Sequence, residues 1–144
     1  MDGRRLVGSL RTAHLDVGNQ VAQVERAAEA DRARPLADLM RMMRALAHAE
    51  EEVLFSALRL AMGPETVLVD SCTTEHQDLA DRLETLARSP HQPGFTAAFA
   101  ALARDVREHQ QDELDTVIPV LVEALGEDGA TALAASFDRA LTAA

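Results

Sequence analysis

Proline and glycine are sparse in this 144-residue chain, and their placement decides what it can fold into. Pro35, the Gly63-Pro64 pair and the stretch Ser89-Pro90 to Pro93-Gly94 cut it into four blocks of roughly 25–30 residues, each long enough for one extended helix. A fifth block follows Gly126 and Gly129. Within every block the apolar residues recur at helical spacing, and β-branched alternation is absent. The first block, 4–30, puts Leu6, Leu10, Val17, Val21 and Val24 on one stripe. The second, 35–62, does so with Leu36, Leu39, Met43, Leu46, Leu54 and Ala57. The third, 65–88, uses Leu68, Cys72, Leu79, Leu83 and Leu86, and the fourth, 95–125, uses Phe95, Phe99, Leu102, Val106 and Val117.

Long amphipathic helices joined by a few residues pack as antiparallel neighbours. The expected fold is therefore all-α: an up-down-up-down four-helix bundle with a short C-terminal fifth helix over 128–143. Ala132, Leu133, Phe137 and Leu141 share the inward face of that tail. Pro35 and Pro64 suit first-turn positions, where the missing N–H costs nothing. Pro119 is interior and should kink or end the fourth helix. One domain over 1–144 is expected, long enough to bury a sizeable core.

Charge and composition narrow the chemistry. The net charge is −10, and all 14 basic residues are arginines. Such a surface repels phosphate backbones, which argues against nucleic acid and anionic membranes as partners. Without lysine there is no Schiff-base or P-loop chemistry, and without tyrosine no phenolate ligand. A single cysteine rules out an internal disulfide framework and any CxxC motif. MDGRRLVGSL lacks the apolar run of a signal peptide, and no stretch approaches about 18 apolar residues. A cytoplasmic protein is expected.

The polar residues on the inward stripes carry the functional signal. His14 lies within the first stripe, and His76 follows Cys72 by four residues and precedes Leu79 by three. His109 follows Val106 by three, and Glu113 follows His109 by four. In the second helix, at about 100° per residue, Glu50 falls about 40° from Leu46 and inside the stripe. His48 and Glu52 fall about 200° and 240° away, on the side of Arg41, Arg44 and Arg59. Phe55 also falls outward, a blemish unless the fifth helix covers it. His14, Glu50, His76, His109 and Glu113 thus converge from four helices, with Cys72 one turn from His76. Unpaired carboxylates in such an interior cost several kcal/mol, and a metal or metal pair would resolve that. His91, between two prolines, and the acidic run Glu50–Glu52 apart from Glu50 are read as solvated. Met40, Met42 and Met43 are read as core filling, and Cys72 as a small buried apolar residue.

These phrases together resemble the hemerythrin-like, or HHE cation-binding, family across essentially the whole chain. They are His14 in the first helix, HAEEEVLFSALR from His48, EHQDLADRL from Glu75, and HQQDELDTVIPVL from His109. The resemblance implies a non-haem iron centre, with two irons or one, held by His14, His76 and His109 as terminal ligands. It implies Glu50 and Glu113 as bridging carboxylates. Glu75 and Asp78 are candidates to orient the imidazoles from outside. The chain departs from the family in two places: Leu46 stands where a ligand His is expected, four residues before Glu50, and Ser56 replaces the usual proline.

Two readings of that departure are open. In one, the second helix shifts so that His48 and Glu52 turn inward. In the other, the periodicity holds, Leu46 occupies a ligand's place, and the metal next to His14 is under-coordinated; the arginine-rich outer face agrees with it. The resemblance implies action on, or sensing of, dioxygen, peroxide or nitric oxide, or an oxidative step on a small-molecule substrate. The contrasting expectation is a degenerate, metal-poor domain working as a cofactor-free acid–base enzyme or interaction module.

Overall fold

Each block forms the helix its periodicity predicts, and among the described residues there is no strand. The computed structural model describes residues 3–63 and 66–143. Helix α1 spans Arg4–Arg26, and a short 3₁₀ turn, Glu29–Asp31, leads into α2, Ala33–Ala49. A π-helical segment, Glu50–Phe55, joins α2 to α3, Ser56–Met62, so that the second long rod is continuous with one wide turn in its middle. Helix α4 covers Val67–Arg88 and α5 covers Phe95–Asp112. A second π segment, Glu113–Val117, joins α5 to α6, Ile118–Ala143.

The four rods form the expected bundle. Helix α1 packs on α2 and α6, α2 on α4, and α4 on α5. The predicted stripes are the core: Leu6, Leu10, Val17, Val21 and Val24 from α1 meet Leu79, Leu83 and Leu86 from α4 and Phe95, Phe99, Leu102 and Val106 from α5. Pro35 lies in the first turn of α2, while Pro64 falls outside the described residues. Two positions differ from the straight-helix phase. Val69 rather than Leu68 is buried on α4. On α3 Leu58 is buried and Ala57 only half-buried, because the wide π turn upstream retards the phase of everything after it.

The same retardation accounts for Phe55. It is buried and stacks on His76, with ring centroids 5.4 Å apart. Pro119 neither ends nor sharply breaks its rod. The π segment immediately before it supplies the irregular turn that the missing N–H and the ring require. The break comes seven residues later, where Gly126 has φ 73° and ψ 176°, a backbone region essentially reserved for glycine. Residues 127–143 then run back as the expected fifth helix, burying Ala130, Ala134 and Phe137. Leu133 and Leu141 pack partly against the core, whereas Ala132 is exposed, one step off the predicted stripe. No helix among the described residues is long and apolar enough to cross a membrane.

Candidate metal centre

Both inward carboxylates sit at the first residue of a π segment. A π turn widens the helix locally and turns side chains toward a site, so its recurrence at Glu50 and Glu113 is informative. The two rods match further. Four residues before Glu113 stands His109, and four before Glu50 stands Leu46; six residues after Glu113 stands Pro119, and six after Glu50 stands Ser56. The Ser56 hydroxyl donates to the Glu51 carbonyl, 3.3 Å away and five residues back.

The side chains converge as their phases predict. Glu50 is 1% exposed and Glu113 2%. One donor atom from each of Glu50, His76, His109 and Glu113 lies within 4.8 Å of the others. Nε2 of His76 is 3.3 Å from Oε2 of Glu50, and Nε2 of His109 is 3.2 Å from Oε1 of Glu113. His14, buried on α1, brings its Nε2 to 3.6 Å from the same Glu113 oxygen. The rings of His76 and His109 meet edge to face at 4.7 Å.

The outer nitrogens settle which ring atoms face the centre. His109 Nδ1 donates to Glu75 Oε2 at 2.5 Å, and His76 Nδ1 donates to Glu51 Oε1 at 3.2 Å. Carboxylates only accept, so Nδ1 carries the proton in each ring, and in the neutral imidazole Nε2 turns a lone pair inward. A lone pair then faces a carboxylate oxygen, and that arrangement requires a proton or a cation between them. His14 Nε2, Glu50 Oε2, His109 Nε2 and Glu113 Oε2 are buried without a hydrogen-bond partner. No arginine pairs with Glu50 or Glu113 among the described residues; the arginine ion pairs all lie on outer faces. A donor set of imidazoles and carboxylates suits iron or a similar transition metal. These residues fit such an ion.

The family model for the hemerythrin HHE cation-binding domain matches residues 5–121. The chain belongs to the hemerythrin HHE family. No curated protein and no solved structure matches it. The matched span contains all five converging residues.

Within this hemerythrin-family bundle, the second rod keeps its phase up to Glu50. The side chains of His48 and Glu52 are 64% and 59% exposed and bond to each other at 2.9 Å, outside the converging group. The shifted-helix reading is therefore overturned, and Leu46 is buried at the position corresponding to His109. Glu75 orients an imidazole as expected, but Asp78 does not; it pairs with Arg82 on the surface at 3.5 Å. The residue that sequence reasoning missed is Glu51, which holds His76. It lies one residue past Glu50, at the margin of the stripe, and only the wide turn and its long side chain bring it into reach.

Electrostatics follow from burial and neighbours. Burial lowers the His14 pKa despite the opposing charge of Glu50. Burial also pulls on His76, but the neighbouring Glu50 and Glu51 carboxylates outweigh it and raise its pKa. Burial, with the charges of Glu75, Glu50 and Asp112, pushes the Cys72 thiol up to about 11. It is a neutral packing residue at pH 7, as expected, and lies outside the converging group. His91 is exposed in the turn before α5.

Proposed function

We propose that this protein is a non-haem iron protein that acts on or senses dioxygen, peroxide or nitric oxide. Its centre is asymmetric. Glu50, His76, His109 and Glu113 hold the principal ion, and His14, sharing Glu113, contributes to a second and weaker position that Leu46 leaves one imidazole short. His14, His76 and His109 serve as terminal ligands and Glu50 and Glu113 as bridging carboxylates. The observation that carries this reading is the set of buried, inward-facing polar atoms that no protein group satisfies. A bound iron would supply coordination positions open to a small oxidant or gas. The protein's own part is to fix imidazole orientation through Glu75 and Glu51, exclude bulk water with the Phe55 ring over His76, and place carboxylates beside each imidazole. We place it in the cytoplasm, as one domain, on its net charge of −10.

Leu46 favours the second reading, a metal-poor acid–base or interaction domain. Metal analysis of protein prepared with iron, together with its near-ultraviolet absorption with and without nitric oxide, separates the two. The iron reading predicts close to one iron per chain or more, lost in His109→Ala, and a spectrum that changes with nitric oxide. Fewer than about 0.3 iron per chain, unchanged by His109→Ala, would favour the metal-poor domain.

A further inference from the structure

Glu50, His76, His109 and Glu113 form the floor of a cavity of about 210 Å³ that opens between α2 and α4. Its walls are apolar: Val17, Met40, Met43, Leu46, Leu79 and Leu83. Leu46 therefore does more than withhold a ligand. Where an imidazole would reach toward the ion, an apolar surface runs from the centre outward. A second depression on the outer side of α2 shares Met40, Arg44 and His48 with the first, so the cavity continues to the surface past Arg44.

The polar groups at the mouth differ in what they leave available. His48 is held by Glu52, Gln77 donates to Asp81, and Glu51 is turned to His76. Arg44 is exposed and has no ion-pair partner among the described residues, in contrast to Arg41 beside it, which is bonded to Asp38. Gln110 also lines the cavity, its amide without a hydrogen bond among the described residues. The rim thus offers a planar guanidinium above an apolar shaft, on a protein of net charge −10. A carboxylate is the group that fits a free guanidinium, with two parallel hydrogen bonds.

We infer that the cavity binds a small monocarboxylic acid, its carboxylate at Arg44 and its apolar body directed down past Leu46 toward the proposed iron centre. The inference rests on the iron reading, because the floor of the cavity is the proposed ligand set. Cavities of about 150 Å³ accept a benzene-sized body, so one ring or a short chain fills this one. A ligand of that kind places carbon, rather than a dissolved gas alone, beside the centre.

Titration calorimetry with benzoate as the probe and benzamide as its neutral counterpart tests this, on protein loaded with iron and on metal-free protein. The expected result is saturable benzoate binding to both forms, with benzamide at least about five-fold weaker. Arg44→Gln, at an exposed position that tolerates change, should weaken benzoate by a similar factor and leave iron content unchanged. Ala80→Leu, which narrows the cavity wall, should weaken both probes. Equal binding of benzoate and benzamide, or benzoate binding unaffected by Arg44→Gln, overturns the assignment; so does benzoate that binds only when iron is present, since it then ligates the ion directly. Iron loading without any benzoate binding removes the cavity proposal and leaves the iron reading standing. Benzoate binding to a chain that takes up no iron does the reverse.

Discussion

At the scale of single residues, the centre is defined by which atom of each side chain has a protein partner and which does not. Glu75 and Glu51 take the outer nitrogens of His109 and His76, and the inner nitrogens are left facing carboxylate oxygens. Leu46 is the exception within this pattern, since it occupies the place that His109 holds on the matching rod. Leu46→His should therefore add a ligand. Iron per chain is expected to rise by up to about one, because a site missing one imidazole gains affinity steeply when it is restored. Metal analysis checks this directly, and an unchanged stoichiometry would mean that position 46 does not address an ion. Most of this residue-level pattern was legible in the sequence, because His14, Glu50, His76, His109 and Glu113 sit at or before the first irregularity in their helices, where 100° per residue still holds. Glu51 was not, because its role depends on a reach across to α4 that phase alone does not register.

At the scale of elements, the two π segments are what a straight-helix reading of the chain cannot see. Phe55 closes the first and Leu58 lies downstream of it, and both are buried where uniform periodicity puts Ala57 inward and Phe55 outward. The segments also alter what proline does. Pro119 follows one of them without ending its rod, and Ser56 holds the equivalent place on the other, its N–H reaching the Val53 carbonyl three residues back. Ser56→Pro is thus expected to cost less than about 1 kcal/mol, against about 3 kcal/mol for Ala45→Pro in the regular part of α2. Urea unfolding of the two variants compares them; equal losses would show that the wide turn gives no such tolerance. Gly126 is the opposite case. Its positive φ with extended ψ admits almost no side chain, so Gly126→Ala should destabilise by about 1–3 kcal/mol. A neutral result in the same assay would mean that the rod can bend there by other means.

At the scale of the whole molecule, a bundle with an apolar core is built around a polar centre that its own residues do not satisfy. The fold was readable because proline and glycine mark its turns and the stripes are broad; the fifth helix was readable for the same reason, though its stripe ran through Ala130 and Ala134 rather than Ala132. What holds the centre together is a question of global stability, since an ion that binds only the folded chain stabilises it through mass action. Thermal unfolding with and without iron, in the native chain and in Glu50→Ala and His48→Ala, therefore bears most directly on the central claim. Iron at about a hundredfold excess over its Kd should raise the native Tm by on the order of 10 °C. The same rise is expected in His48→Ala, and little or none in Glu50→Ala. An iron-dependent rise that survives Glu50→Ala and disappears in His48→Ala would contradict the account.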